Sequence, residues 1–213
     1  MRQPRSAAER ESVAEWLGAS SRAAALSSDV RETVTSDIVA DLAQKGRLVV
    51  FVDRSDVAFG VGTWSRKGNP RNIEFAIVVG DPDLWRSGLG GEAALRFVDF
   101  LFMTYDANKV FLLTGAYNPY TLPALARSGF VFEARLREHY FLDGEFHDAL
   151  VWSLLRAEHR RLLDATRDSA LAYIPSVSDQ EKASARAFLD RLLADPRASR
   201  ADWSAEHVES ARA

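Results

Sequence analysis

The residues best suited to chemistry lie in a glycine-rich turn, where Gly88, Gly90 and Gly91 follow residues 85–87, Trp-Arg-Ser. Glycines let the backbone approach a ligand closely, and the first free N–H groups of a following helix favour an anion. The turn therefore predicts a phosphate or pyrophosphate site, although three glycines could also make only a tight connection. The spacing fits neither a dinucleotide-binding Gly-x-Gly-x-x-Gly turn nor a Walker loop.

This turn joins a predicted strand to a predicted helix. Residues 72–79 alternate with a period of two and are largely apolar on both faces, which indicates a central strand. Apolar residues then recur at helical spacing as far as Tyr105. Residues 109–114 follow as an apolar strand, and because a crossover helix precedes them we expect parallel pairing with the central strand.

The remaining elements flank this unit. Capping residues predict helices over 7–18, from a Ser36 cap to Gly46, and from Asn118-Pro119 to Gly129, with a loop or loose helix over 19–31. Alternating apolar residues predict antiparallel strands over 47–53 and 57–64. The turn signal Asp143-Gly144 predicts a hairpin that pairs 130–142 with 146–155. The pattern predicts an α+β fold.

The composition excludes several classes of protein. The chain has 213 residues, 47% of them hydrophobic, and a net charge of -3, which is too mild to indicate a nucleic-acid partner. There is no cysteine, which excludes a disulfide framework and a thiolate metal site, and the four histidines lack metal-ligand spacing. With no apolar signal core and no membrane-length apolar run, we expect a cytoplasmic protein with no membrane partner and no metal.

Three segments resemble the GNAT superfamily of acyl-CoA-dependent N-acyltransferases over residues 6–158, and in particular its ribosomal-protein-alanine N-acetyltransferase branch. Residues 85–90, Trp-Arg-Ser-Gly-Leu-Gly, are similar to the family's Gln/Arg-x-x-Gly-x-Gly/Ala pyrophosphate loop. Asn118 and Thr121, followed by Ser-Gly-Phe at 128–130, are similar to the Asn-x-x-Ser that precedes Leu-Gly-Phe. Residues 135–154 resemble the closing hairpin of the branch.

The resemblance implies a GNAT fold, with a mixed and mostly antiparallel sheet that is splayed to hold CoA and flanked by helices. Acetyl-CoA is the implied cosubstrate. Backbone groups of Val78 and Val79 would pair with its pantetheine arm, and Asn118 would contact it near the thioester. The amides that would hold the pyrophosphate are those of Arg86, Ser87, Gly88, Leu89, Gly90 and Gly91.

Glu74 is the candidate general base that the resemblance implies. Acyl transfer to an amine requires a deprotonated nucleophile and a stabilised leaving thiolate. Glu74 lies on the central strand, and its position ahead of the loop is similar to that of the base glutamate in the superfamily's histone acetyltransferases. The alternative is a structural carboxylate that points to solvent or pairs with Arg47 or Arg71.

The group that stabilises the leaving thiolate is less clearly indicated. Many family members carry a tyrosine seven residues after the asparagine, where this chain has Leu125. Thr121 could donate a hydrogen bond to the sulfur instead, and Tyr120 and Tyr117 lie in the same turn. The alternatives are an ordinary first-turn threonine and packing tyrosines.

Both ends of the chain depart from the family pattern. Only residues 1–5 precede the first helix, so we expect the family's first strand to be vestigial or absent. Residues 159–213 are predicted to form a partly flexible helical extension, with an amphipathic helix over 178–194 and Trp203 as a further anchor. That helix would dock on the domain or form a homodimer.

The sequence thus predicts an enzyme that transfers an acetyl group from acetyl-CoA to a primary amine by direct attack in a ternary complex. The acceptor would be a protein N-terminus or a small-molecule amine. The alternative is a non-catalytic acyl-CoA-binding or protein-interaction module with a GNAT fold, because the usual tyrosine is missing.

Overall fold

A six-stranded mixed sheet organises the fold of the chain, which we describe from a computed structural model covering residues 1–18, 21–27, 33–167 and 172–194. The sheet order is β1-β2-β3-β4-β6-β5. Its strands are β1 (Leu48–Val52), β2 (Ala58–Arg66), β3 (Asn72–Val79), β4 (Lys109–Gly115), β5 (Val131–Leu142) and β6 (Glu145–Leu155). This α+β architecture confirms the predicted fold class.

The described ranges contain seven α-helices. They are α1 (Ala7–Leu17), α2 (Arg22–Ser27), α3 (Ser36–Gln44), α4 (Leu89–Thr104), α5 (Thr121–Leu125), α6 (Arg156–Ala165) and α7 (Asp179–Ala194). A 3₁₀ turn over Pro82–Leu84 leads from β3 into the glycine-rich turn. Within the described residues, no helix combines the length and apolar character that crossing a bilayer requires.

The parallel pairing of β3 with β4 is short. It comprises three residue pairs, Asn72 with Lys109, Ile73 with Val110, and Glu74 with Phe111. In contrast, β3 pairs with β2 from Ile73 to Val79, and β4 pairs with β6 along its whole length. The sheet therefore consists of two antiparallel leaves that are joined at one end and diverge beyond Glu74.

Each face of the sheet has its own hydrophobic core, and β3 contributes to both. Ile73 and Phe75 pack in the core beneath α4, where Phe97 makes edge-on ring contacts with Phe75, Trp64 and Phe51. Val78 belongs to the second core, which also contains residues of α1 and α3. This confirms the sequence interpretation of residues 72–79 as a central strand that is apolar on both faces.

The N-terminal residues form a remnant of an edge strand. Arg2 exchanges two backbone hydrogen bonds with Val50, of 3.2 and 2.8 Å, which is consistent with the vestigial strand expected here. The Arg2 guanidinium bonds the carboxylates of Glu9 and Asp56. The hydrogen bond from Arg2 lowers the pKa of the Glu9 carboxyl to about 2, so α1 is tied to the N-terminal segment by an ionised pair.

Most predicted helix boundaries agree with the structure, but the predicted caps of α3 and α5 were wrong. Ser6 accepts a hydrogen bond from the Glu9 amide, which is one half of the predicted capping box, whereas the Glu9 carboxylate accepts from the Arg5 amide at 2.7 Å. The cap of α3 is Thr35 rather than Ser36, because the Thr35 hydroxyl accepts from the Ile38 amide at 3.3 Å. Within the predicted loop or loose helix of 19–31, the described residues form α2, and the rest lie outside the described ranges.

The chain divides into two compact units, Met1–Tyr173 and Ile174–Ala213. The first unit includes α6, because Arg156 donates to the carbonyls of Ala107 and Phe102 and thereby fixes the start of this helix against the end of α4. The sequence had assigned most of α6 to the extension after residue 158. The boundary of the family domain at that point stays a prediction.

The second unit is described from residue 174 to residue 194 and contains α7, close to the predicted helix over 178–194. Ser178 and Glu181 form a reciprocal capping box at its start, with the Ser178 hydroxyl accepting from the Glu181 amide at 3.2 Å. Trp203 lies outside the described residues. Docking or dimerisation through this helix stays a prediction.

Candidate active site

A cavity of about 740 Å³ occupies the gap between the diverging ends of β3 and β4. Phe75, Ile77 and Val79 line it from the α4 side of β3, and Ala76 lines it from the opposite side. Residues of both faces of β4 also reach it, since Leu112 and Leu113 are neighbours on the strand and both line the cavity. The cavity therefore passes through the sheet, as a narrow, elongated ligand would require.

Helices close the cavity on both sides of the sheet. Ala23 and Leu26 of α2 contribute on one side, and α4 contributes Gly90, Gly91 and Ala94 on the other. Residues of α5, of the segments that precede and follow it, and of α6 also line the wall. The glycine-rich turn and the divergence of the strands thus belong to a single site.

The start of α4 carries the predicted anion site. Gly88 has a φ of +86°, a conformation that favours glycine, and it begins the first turn of the helix. The Ser87 hydroxyl donates to the Leu84 carbonyl at 2.7 Å and accepts from the Leu89 amide at 3.2 Å. Of the predicted loop residues, Gly90 and Gly91 line the cavity, and the side chain of Arg86 is exposed.

A methyl group added at Gly91 would meet no atom within 4 Å. The first amides of a helix have no carbonyl partner within the helix itself. Gly90 and Gly91 belong to this first turn of the 16-residue α4, so their amides can bind an anion together with the positive end of the helix dipole.

The backbone of β3 presents Val79 to the cavity and turns Val78 away from it. The Gly80 amide donates to the Phe59 carbonyl of β2 at 2.9 Å. Because hydrogen-bonding directions alternate along a strand, the backbone groups of Val78 also face β2, while those of Val79 face the gap. Val79 is thus available to a ligand arm, whereas the side chain of Val78 is 3% exposed and lies in the second core.

Trp85 covers the backbone position of Val79. Its indole Nε1 donates to the Val79 carbonyl at 2.9 Å, and its ring packs edge-on against Tyr120 at 5.0 Å. The Arg22 guanidinium of α2 lies over the indole at 5.5 Å. A ligand that bonds to the Val79 carbonyl therefore has to share this carbonyl with the indole or displace the indole from it.

Asn118 braces the rim of the cavity from a position that is 4% exposed. Its Oδ1 accepts from the amides of Tyr120 and Thr121, both at 3.0 Å. The helix predicted from Asn118-Pro119 to Gly129 is shorter in the structure, where α5 begins at Thr121 and ends at Leu125 and Tyr120 takes the N-cap position. The Nδ2 of Asn118 donates to the Leu26 carbonyl of α2 and to the Thr121 hydroxyl, both at 2.9 Å. These four bonds use both donors and both lone pairs of the amide, so a direct contact with a ligand would replace one of them.

The two candidate thiolate donors both line the cavity. Thr121 accepts a hydrogen bond from Asn118, which leaves its own hydroxyl hydrogen for a further acceptor. Tyr120 reaches the cavity beside Trp85. Tyr117 is committed elsewhere, since its hydroxyl donates to the Ala25 carbonyl at 3.0 Å. Leu125, at the position of the family's tyrosine, is 6% exposed and also lines the wall.

Glu74 lies just outside the cavity. It occupies the last paired position between β3 and β4, on the same face of the strand as Ala76 and about 7 Å along it. Its carboxylate pairs with Lys67 at 3.3 Å, and its side chain is 32% exposed. The partner is thus neither Arg47 nor Arg71, which pairs with Asp106 instead. The structure brings Thr121 and Tyr120 to the cavity wall but does not bring Glu74 there.

Two buried polar residues of the cavity wall, Thr114 and His159, were not predicted from the sequence as site residues. The Thr114 side chain is 2% exposed, and its hydroxyl has no hydrogen-bond partner among the described residues. His159 is 4% exposed, hydrogen-bonds Asp99 at 2.7 Å and stacks on Phe102. Two sequence signals could have identified these residues. Thr114 follows an apolar strand pattern, and Asp99 interrupts the apolar face of α4.

The lining of the site suits an organic ligand. Over the described ranges, no group of three or more histidine, cysteine or acidic side chains is arranged to hold a metal. An apolar passage with helix amides at one end and backbone groups along its side fits a pantetheine arm and its pyrophosphate.

Comparisons with known proteins agree with this geometry. Residues 3–131, more than half of the chain, match the family model of the acetyltransferase (GNAT) domain. Among curated proteins, the chain is 26% identical over 89 residues to the spermidine N(1)-acetyltransferase of Vibrio cholerae serotype O1. That alignment covers 42% of this chain and 51% of the relative, so the chain spans about half the length of that protein.

Solved structures of the Vibrio cholerae enzyme share the fold. Mutant forms of its spermidine/spermine N-acetyltransferase align with a TM-score of 0.55 and 22% identity, covering 62% of this chain and 84% of that one. The complex of the spermidine N-acetyltransferase with CoA and spermine gives a TM-score of 0.53 and 22% identity, covering 59% and 78%. These relatives do not single out the ribosomal-protein-alanine branch. On the strength of the family match over residues 3–131, the chain belongs to the GNAT acetyltransferase family.

Proposed function

We propose that the chain transfers an acetyl group from acetyl-CoA to a primary amine by direct attack in a ternary complex. The observation that carries the proposal is the passage through the sheet, which has the start of α4 on one face and α2 on the other. Donor and acceptor can therefore approach one another from opposite faces of the sheet. The relatives, named as spermidine N-acetyltransferases, support the same reaction class.

The donor half of the site would lie on the α4 face. Gly90 and Gly91 would hold the pyrophosphate through their amides, with Arg86 beside them, and Val79 would pair with the pantetheine arm. Acetyl-CoA supplies an activated thioester when it is bound. The apolar walls that Phe75, Ile77 and Leu112 provide would exclude water from the arm.

The acceptor half would lie on the opposite face, where Ala76, Leu113 and α2 meet the cavity. Glu74 on this face would accept the proton of the ammonium group, directly or through a water molecule. Its side chain is exposed enough to reach solvent, and Lys67 is its ion-pair partner. Thr121, held by Asn118, would donate a hydrogen bond to the leaving thiolate.

The acceptor class follows from the relatives more than from this chain. Proteins named for spermidine favour a small-molecule amine over a protein N-terminus, which remains the alternative that the sequence resemblance suggested. Both acceptors present a primary amine to the same face of the sheet. They differ in the remainder of the molecule, which a panel of amines can test.

We predict free-thiol release from acetyl-CoA in the presence of a suitable primary amine. The panel should contain spermidine, spermine, simple monoamines, and peptides that begin with Ala or Ser. Release with at least one amine, and acetylated product by mass spectrometry, is the expected result. Binding of acetyl-CoA without turnover on any acceptor would contradict the proposal and favour a non-catalytic acyl-CoA-binding module.

Replacing Glu74 by glutamine should lower kcat by about a hundredfold or more, because a general base of ordinary contribution is lost. The measurement is steady-state turnover with the best amine of the panel, together with acetyl-CoA affinity, which should stay unchanged. Glu145→Gln, on the exposed start of β6, is the matched control and should retain full activity. A near wild-type rate for Glu74→Gln would remove Glu74 from the mechanism.

Replacing Thr121 by valine should lower kcat by about tenfold, the value of one lost hydrogen bond to the leaving group. Thr121→Ser keeps the hydroxyl and should stay close to the wild type. Tyr120→Phe should have little effect if Thr121 is the donor. If kcat falls tenfold in Tyr120→Phe and is unchanged in Thr121→Val, Tyr120 is the group that stabilises the thiolate. If kcat is unchanged in both variants, backbone groups or water stabilise the thiolate.

A further inference from the structure

Thr114 is a buried polar residue whose hydroxyl makes no hydrogen bond to the described part of the protein. It is 2% exposed, and its Oγ1 has no hydrogen-bond partner among the described residues. Buried hydroxyls are nearly always hydrogen-bonded, because an unmade bond leaves the group desolvated without compensation. An orphaned hydroxyl in a protein core therefore calls for a specific explanation.

The location of Thr114 points to a ligand as the missing partner. It lies on β4 three residues beyond Phe111, where parallel pairing with β3 has ended, and it lines the cavity. The described residues contain one other orphaned buried side-chain atom, the indole nitrogen of Trp152, and Trp152 does not line the cavity. The hydroxyl of Thr114 is thus distinguished by its position in the cavity wall.

The nearby side-chain amide of Asn118 already has its full set of hydrogen-bond partners within the protein. The amide of Asn118 makes four hydrogen bonds to α2 and α5, so it has no further capacity for Thr114. The β4 position of Thr114 pairs with Leu150 of β6. The hydroxyl is left for whatever molecule occupies the gap between β3 and β4.

The face of β4 on which Thr114 lies indicates which part of the ligand its hydroxyl would contact. Side chains alternate along β4, so Thr114 shares with Leu112 the face that packs towards α4, where the donor would bind. Between the pyrophosphate and the thioester, the pantetheine arm carries two amide groups, each with a donor and an acceptor. A hydroxyl can satisfy either of them.

We propose that the Thr114 hydroxyl hydrogen-bonds an amide of the pantetheine arm of bound acetyl-CoA. The proposal rests on the proposed function, since it takes acyl-CoA as the occupant of the cavity. It adds a side-chain contact from β4 opposite the backbone contact expected from Val79 on β3. The arm would then be held from both strands that diverge around it.

The test compares Thr114→Val, which keeps the shape and removes the hydroxyl, with Thr114→Ser, which keeps the hydroxyl. Calorimetric titration with acetyl-CoA, CoA and adenosine 3′,5′-bisphosphate separates the parts of the ligand. We expect Thr114→Val to bind acetyl-CoA and CoA about tenfold more weakly and the bisphosphate, which lacks the arm, as the wild type does. Thr114→Ser should bind all three ligands nearly as the wild type does.

The stability of the ligand-free protein gives an independent reading. Replacing an orphaned hydroxyl by a methyl group of the same shape should leave the Tm unchanged or raise it. A fall in Tm would show that the hydroxyl has a partner within the protein and would overturn the proposal. Should Thr114→Val fail to fold, Thr114→Ala against Thr114→Ser provides the same comparison of affinities.

Other outcomes are equally decisive. Unchanged CoA affinity in Thr114→Val would overturn the assignment, and so would an equal loss for the bisphosphate. Weakening confined to acetyl-CoA would assign the hydroxyl to the thioester instead of the arm. A wild-type protein that binds none of the three ligands would contradict the proposed function itself, which separates that failure from the failure of Thr114.

Discussion

The site depends on the short parallel pairing of β3 with β4. Three residue pairs join two antiparallel leaves, in which β3 pairs with β2 from Ile73 to Val79 and β4 pairs with β6 along its whole length. Since each leaf keeps its own twist, the strands separate once the parallel bonds stop after Glu74 and Phe111. The resulting gap exposes backbone groups of a central strand that would otherwise be paired, and it opens a route from one face of the sheet to the other.

The gap is bordered by contacts that also organise the candidate chemistry. Asn118 joins the start of α5 to the carbonyl of Leu26 in α2, and Trp85 joins the glycine-rich turn to Val79. These bonds fix Thr121 and the helix start of α4 on the walls of one cavity. Glu74 lies at the base of the gap on the face opposite α4, which is the face that we propose for the amine, and the proposed pyrophosphate site lies on the α4 face.

Local patterns predicted the elements of this site, but they did not predict its side-chain contacts. The period of residues 72–79 and the glycines that follow were sufficient for the strand, the turn and α4. The parallel pairing with β4 followed from the crossover helix, whereas the divergence of the two strands came only from the family resemblance. The pairing of Glu74 with Lys67 and the bond from Trp85 to Val79 depend on which side chains the folded loops bring together. Thr114 could not be singled out, because an orphaned hydroxyl is recognised only when its neighbours are known.

The central claim is that the start of α4 holds the pyrophosphate of acetyl-CoA, and calorimetric titration of a Gly91→Glu variant tests it most directly. A Cβ atom added at Gly91 would meet no atom within 4 Å, and a carboxylate in the first turn suits the helix dipole, so we expect the fold to tolerate the substitution. The same carboxylate would repel a pyrophosphate bound at these amides. We predict that wild-type protein binds acetyl-CoA, that Gly91→Ala retains most of the affinity, and that Gly91→Glu loses at least about tenfold, an effect of one unfavourable charge contact. Equal affinity for Gly91→Glu and the wild type would contradict the account.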